Sequence, residues 1–166
     1  MVDAALPLCQ GRYRLRKVIG VGGMATVYLA RDETLQVDRA IKILSPQMAS
    51  ERQIRTRFLN EARLMARLEH NHIVAIQDVG VDGDRLYIVM ELLRGGNLHL
   101  RVRRGGALPP RMACKIIEAI LPALDLAHRN EVVHRNIKPG NILLDVKGKP
   151  KITDFGIARV TDGHRG

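Results

Sequence analysis

The polar segment from His134 to Asn141 has the residue types of a ligand-binding or catalytic loop. It contains one histidine, two cations and two amides, and it lies between apolar Val132-Val133 and Ile142-Leu143-Leu144. Apolar flanks can hold such a loop at the rim of a folded core, where its polar groups meet a ligand. On composition alone, a solvated connector is an equal alternative.

Two further segments favour the ligand-binding interpretation. Gly20-Val21-Gly22-Gly23 lies far upstream, and Asp154-Phe155-Gly156 follows shortly downstream. Glycines lack the Cβ atoms that keep backbone N–H groups away from phosphate oxygens, so a glycine turn between two strands can cradle a phosphate. Taken alone, the glycine turn is weak evidence, because most such turns only close a hairpin.

Two charged residues are predicted at positions that the surrounding pattern would bury. In the strand predicted over 39–44, Lys42 shares an apolar face with the residues two positions away. In the helix predicted over 50–69, Glu61 lies on the apolar stripe. A buried charge is costly unless it is paired, so each residue requires an oppositely charged partner. The stripe consists of Ile54, Phe58, Met65 and Leu68.

The remaining pattern predicts an α+β chain in two parts with a boundary at Gly95-Gly96. Residues 1–11 form a leader without periodicity, residues 12–94 form five strands and one main helix, and residues 95–166 are mostly helical. The predicted strands cover 13–19, 26–31, 39–44, 73–80 and 85–91, helices follow over 97–104 and 109–129, and a hairpin joins 142–144 to 151–153.

Composition indicates a globular chain of 166 residues whose core is aliphatic, since 46% of the residues are hydrophobic and only 3% are aromatic. No stretch approaches the roughly 20 apolar residues of a membrane span. The first eight residues lack the basic start of a signal peptide, so a cytoplasmic location is expected. Cys9 and Cys114 are far apart and are predicted to be free thiols.

The formal charge of +10 permits a nucleic-acid or membrane-surface partner. However, the cations are spread along the chain and are not interleaved with aromatic residues that could stack on bases. We therefore expect no nucleic-acid binding as the main role, and a basic interaction domain is only a distant alternative.

The order of these motifs resembles that of the Ser/Thr protein kinases, in particular the bacterial eukaryote-like branch. The resemblance runs from about residue 12 to the end. It implies a protein-kinase-like fold with a complete five-stranded N-lobe and a truncated, mostly helical C-lobe that ends in the activation segment. It also implies ATP and Mg²⁺ as cofactors and a protein as substrate or partner.

The resemblance assigns roles to individual residues. Lys42 is expected to contact the α- and β-phosphates and to pair with Glu61, which would satisfy both buried charges. Asn141 and Asp154 are expected to hold Mg²⁺, and Lys138 matches the Ser/Thr branch. His134 is expected to have a structural packing role. Arg135 is expected to contact a phosphate on the activation segment, where Thr161 provides the remaining hydroxyl. The nucleotide-binding set implied by the resemblance also includes Ile19, Gly20, Gly22, Val27 (the adenine cap), Ala40, Met90 (the back of the adenine pocket), and Glu91 to Leu93 (the hinge).

Two departures from the family pattern concern activity. Asn136 occupies the position of the catalytic aspartate, and a neutral amide cannot accept the proton of a substrate hydroxyl near neutral pH. The chain also stops at Gly166, before the Ala-Pro-Glu region and the large C-lobe helices, so the helix around Ile116 to Ala127 is expected to lack cover. These features favour a pseudokinase-like MgATP-binding module. A weakly active Ser/Thr kinase and a fragment without independent function are the alternatives.

Overall fold

A six-stranded antiparallel sheet forms the first part of the chain in the computed structural model, which describes residues 7–155 apart from the Glu61 side chain. The five strands predicted from the sequence are present, and a short sixth strand pairs with the sheet edge through Leu8 and Tyr13. The strands lie in the order β1-β2-β3-β4-β6-β5. Their bounds are β1 Pro7–Leu8, β2 Tyr13–Val21, β3 Ala25–Asp32, β4 Val37–Leu44, β5 Ile76–Asp82 and β6 Arg85–Glu91.

The sixth strand corrects the prediction that residues 1–11 are only a leader. Leu8 is fully buried and packs in one core cluster with Tyr13 and Leu15. A two-residue strand is too short to show the alternation by which strands are recognised, so the sequence pattern could not reveal it.

The predicted main helix is α2, Arg52–Met65, which is preceded by a short helix α1, Pro46–Ala49. Its apolar stripe is confirmed, because Ile54 and Phe58 are buried against one face of the sheet. Met65 and the following Leu68 instead join the core of the second part of the chain. Helix α2 therefore packs on both halves of the molecule.

Between residues 95 and 155, the second part of the chain contains two helices and a hairpin. Helix α3 is Leu98–Gly105, helix α4 is Pro110–Arg129, a single 3₁₀ turn covers Pro139–Asn141, and strands β7 Ile142–Leu144 and β8 Pro150–Ile152 pair antiparallel. Asn97 caps α3, since its side chain accepts a hydrogen bond of 2.8 Å from the backbone N–H of Leu100.

Helix α4 buries one face and exposes another. Ile116 and Ile120 lie in the core, whereas Ile117 and Leu121 are 48% and 54% exposed. Ile116 and Ile120 are thus covered within the chain, and the uncovered apolar surface that the sequence predicts on this helix lies on the neighbouring Ile117 and Leu121.

The predicted boundary at Gly95-Gly96 lies where the two parts touch. The backbone N–H of Gly95 donates to the carbonyl of Leu144, and a Cβ atom at Gly95 would come within 2.3 Å of the carbonyl oxygen of Asp145. Gly96 has a φ of +74°. Glycine is required here because backbone approaches backbone.

Two further observations concern residues 7–155. No helix there combines the length and the apolar character that a membrane crossing requires. Cys9 is half-buried and Cys114 is exposed, and neither forms a disulfide.

Candidate functional site

A cleft of about 610 Å³ lies between the glycine-rich turn and the His134–Asn141 loop. It is open to solvent between the two parts of the chain, and Lys42 of β4 and Asp154 lie in its wall. The cleft brings together most of the residues that the sequence singled out, although they are spread over more than 130 positions. Those lining it are Gly20, Gly22, Val27, Lys42, His134, Arg135, Asn136, Lys138, Asn141 and Asp154.

The glycine-rich turn joins β2 to β3 and covers the cleft. The backbone N–H of Gly22 donates a 2.9 Å hydrogen bond to the carbonyl of Ala25, which closes the turn. At Gly22 an added Cβ would lie 3.4 Å from that carbonyl oxygen, whereas at Gly23 it would meet open space. The turn therefore has room on its open side for a ligand to approach the backbone.

Lys42 makes an ion pair with Asp154 across the cleft. The Nζ atom lies 2.6 Å from Oδ1 of Asp154, and the lysine side chain is only 12% exposed. This contact joins the central sheet to the segment after β8. It supplies the partner that the buried position of Lys42 requires.

Glu61 lies in α2 as predicted, but its side chain is outside the part of the chain that the structure describes. Its pairing with Lys42 stays a prediction. Gly156 and Thr161 also lie outside the described residues.

His134 organises the loop from inside the core. It is 2% exposed, and its Nε2 lies 2.8 Å from the carbonyl oxygen of Thr153 while its Nδ1 lies 3.2 Å from the backbone nitrogen of Asn136. A neutral ring that carries its proton on Nε2 satisfies both contacts. Burial lowers the pKa of His134, which favours this neutral form. Its ring also packs 4.6 Å from that of Phe155, which confirms the expected structural role.

Asn136 and Asn141 are linked through one hydrogen bond. The Nδ2 group of Asn141 donates to the carbonyl of Asn136 at 2.8 Å, and the backbone carbonyl of Asn141 accepts from the N–H of Thr153. Asn141 is buried, and its Oδ1 atom is left as the oxygen available to a ligand. Asn136 itself is exposed at the cleft.

Two residues beside the cleft have backbone conformations that sequence analysis did not anticipate. Arg135 has a φ of +63° and Asp154 a φ of +57°, in the left-handed region that costs energy for residues other than glycine. Such conformations are concentrated at functional sites, where surrounding contacts hold them. Since the hydrogen bonds of His134 tie down both flanking segments, they explain how these conformations persist.

Most of the residues predicted to bind adenine lie on the strands of the sheet. Ala40 lies opposite Met90 in the β4–β6 ladder, and Val27 lies opposite Lys42 in the β3–β4 ladder. Ile19 is 47% exposed near the end of β2. Leu93, which the resemblance predicts to belong to the hinge, is half-buried.

Glu91 has a side-chain role that the sequence did not suggest. Its Oε1 atom accepts a 2.8 Å hydrogen bond from the backbone N–H of Ala75 and lies 2.6 Å from Nζ of Lys151. Because Lys151 belongs to β8, this pair connects the sheet to the second part of the chain.

Leu44 and Phe58 also line the cleft and were not assigned to the site from the sequence. The sequence pattern could have identified both residues. Leu44 shares the strand face of Lys42, and Phe58 lies on the apolar stripe of α2.

Comparison with known proteins identifies relatives of this arrangement. The sequence profile of the protein kinase domain matches residues 13–165. The chain is 47% identical over 148 residues to the serine/threonine-protein kinase PrkC of Bacillus subtilis, covering 89% of this chain and 23% of that protein. It is 41% identical over 157 residues to the serine/threonine-protein kinase PknA of Mycobacterium tuberculosis, covering 92% of this chain and 36% of that protein.

A crystal structure of the Mycobacterium tuberculosis PknI kinase domain superimposes with a TM-score of 0.80 at 31% sequence identity. The match covers 95% of this chain and 64% of that domain. The chain therefore spans less than two thirds of the solved domain and about a quarter to a third of these curated relatives.

Proposed function

This chain belongs to the protein kinase domain family, and from that premise we propose that it binds MgATP in the cleft while phosphoryl transfer to a protein hydroxyl is strongly impaired. The observation that supports binding is the convergence of Lys42, Asp154 and Asn141 on one cleft beneath a glycine-rich turn. The observation that supports impairment is the amide of Asn136 at the position of the base.

The residues of the cleft fit a magnesium-bound triphosphate. The Asp154 carboxylate and the Oδ1 atom of Asn141 are oxygen donors of the kind that Mg²⁺ prefers. Lys42, Arg135 and Lys138 place positive charge on the same cleft, which suits a polyanion. When bound, Mg²⁺ would neutralise charge on the phosphates.

In this proposal, each residue has a defined task. Lys42, held by Asp154 in the present structure, binds phosphate oxygens. The neutral His134 holds the loop by its two hydrogen bonds. Asn136 orients a substrate hydroxyl through hydrogen bonds but leaves the proton on it, because an amide is not a base near neutral pH.

A weakly active Ser/Thr kinase is the second candidate, and the intact hydrogen bonding of the loop favours it. Asn has the shape of Asp, and its backbone is held by His134 and Asn141. Since phosphoryl transfer depends largely on positioning and charge neutralisation, a residual rate is compatible with this geometry.

A thermal-shift titration with MgATP tests the binding proposal. Ligand at ten times its Kd stabilises the folded state by about 1.4 kcal/mol, which corresponds to about 3–6 °C for a chain of this size. MgCl₂ alone is the control and should cause no such shift. An unchanged melting temperature at millimolar MgATP would refute the proposal and favour a fragment without independent function.

A phosphotransfer assay separates the two candidates. Radiolabelled ATP with a Ser/Thr-containing protein should yield no label above background under the first proposal. Label that disappears when Lys42 is replaced by Met would instead establish the weakly active kinase.

A further inference from the structure

A second depression, which we call the basic groove, lies away from the nucleotide cleft and between α3, α4 and the β7–β8 hairpin. Its volume is about 470 Å³. Apolar atoms are supplied by Met112 and Ile116 of α4 and by Val146 of the hairpin turn, and cations by Arg101, Lys115 and Lys147.

The three cations of the basic groove come from three different elements and are all exposed. Within residues 7–155, none of them makes an ion pair. Among the residues that the structure describes, no acidic residue lines the groove. The nearby Asp145 accepts hydrogen bonds from the backbone N–H groups of Lys147 and Lys149, so its carboxylate is engaged in closing the hairpin.

The apolar side chains of the basic groove differ in their exposed fraction. Ile116 is 9% exposed and belongs to the core, Met112 is 39% exposed, and Val146 is 76% exposed. An exposed valine side chain is not stabilised by contact with water, and Val146 lines the same groove as Met112, a flexible side chain that adapts to varied apolar partners. The groove thus offers apolar contact surrounded by positive charge.

We propose that the basic groove docks a peptide segment of a partner protein in which acidic and apolar side chains alternate. Apolar side chains of that segment contact Met112, Ile116 and Val146, and its carboxylates face Arg101, Lys115 and Lys147. We choose an acidic segment because its carboxylates complement the cations of the groove. The overall charge of +10 also attracts an acidic segment to the surface. The proposal does not depend on nucleotide binding.

Fluorescence anisotropy with a short labelled peptide of alternating Glu and Leu tests this docking site on the full chain. Binding should be saturable, and the double variant Lys115→Glu with Lys147→Glu should weaken it by about tenfold or more. The variant Arg52→Glu with Arg67→Glu changes the net charge equally on exposed residues outside the groove, so it should leave the affinity within about twofold.

One further variant and a second peptide separate binding in the groove from general charge attraction. Val146→Ser removes an apolar contact without adding charge, so it should weaken binding of the Glu/Leu peptide, and the fold should be retained because this side chain is largely exposed. A peptide of alternating Glu and Ser should bind more weakly than the Glu/Leu peptide. Equal binding of the two peptides, equal effects of the two double variants, or displacement of the peptide by MgATP would overturn the proposal.

Discussion

Lys42 and Asp154 are 112 residues apart in sequence, yet their side chains form an ion pair of 2.6 Å across the cleft. The lysine belongs to the third long strand of the sheet, whereas the aspartate follows β8 in the second part of the chain. The two parts therefore meet through opposite charges at the position where the phosphates of a nucleotide are proposed to bind.

Replacing Lys42 by Met should abolish most of the nucleotide affinity. A charge-assisted hydrogen bond is worth about 1.5–3 kcal/mol, so the affinity for MgATP should fall by about 10- to 100-fold. Lys17→Met is the matched control, since Lys17 is exposed on β2 and does not line the cleft. Equal affinities of the two variants in a displacement assay with a fluorescent nucleotide would show that Lys42 does not bind the ligand.

Restoring the carboxylate by Asn136→Asp should raise phosphoryl transfer. General-base catalysis contributes about 10²–10⁴-fold, which corresponds to about 3–5 kcal/mol of transition-state stabilisation. The measurement is label transfer from ATP to a Ser/Thr-containing protein at saturating MgATP, with Asn136→Ala as control. Equal inactivity of Asn136→Asp and Asn136→Ala would contradict the assignment of the lost activity to Asn136.

His134 should make stability depend on pH. Burial lowers its pKa in the folded state, so the unfolded chain binds its proton more readily. The stabilisation is complete above the ordinary histidine pKa of about 6.5 and is lost as the pH falls below that value. The melting temperature should therefore drop between about pH 7.5 and pH 5.5.

The variant His134→Gln isolates this contribution. Its amide retains a donor and an acceptor but does not titrate, so it should be less stable at pH 7.5 and show a smaller drop on acidification. His70, whose pKa is also lowered by burial, remains in both proteins and cancels in the comparison. Parallel pH profiles of the two proteins would contradict this role of His134.

The Glu91–Lys151 pair should couple the two parts of the chain. Both side chains are partly buried, at 23% and 17% exposed, so a double-mutant cycle with Glu91→Gln and Lys151→Met should give a coupling of about 1–2 kcal/mol in urea unfolding. The Arg129–Asp125 pair, at 76% and 60% exposed, is the control and should give about 0.5 kcal/mol or less. Indistinguishable couplings would refute a stabilising role for the Glu91–Lys151 pair.

The sequence predicted the long strands, helix α2 and the polar loop because each has a clear period or a distinctive motif. Phe58 lies on the helical stripe and is buried as predicted. Lys42 was correctly recognised as a charge in need of a partner, but local pattern cannot choose between carboxylates that are distant in sequence. Only the packing of the two parts brings Asp154 to it.

The features that were not predicted depend on tertiary contacts rather than on the hydrophobic periodicity of the sequence. Leu8 forms a strand of two residues because an edge of the sheet is available to it. The positive φ values of Arg135 and Asp154 persist because buried neighbours hold the backbone. Neither residue type by itself predicts such a conformation. Glu91 meets Lys151 through the same interlobe packing.

Equilibrium titration of the full chain with ATP, in the presence and absence of Mg²⁺, tests the central proposal most directly. We expect saturable binding at one site that is strengthened by Mg²⁺ and lost in Lys42→Met, together with phosphoryl transfer that is undetectable unless Asn136 is replaced by Asp. Failure to bind millimolar nucleotide, or full-rate transfer by the unaltered chain, would contradict the proposal.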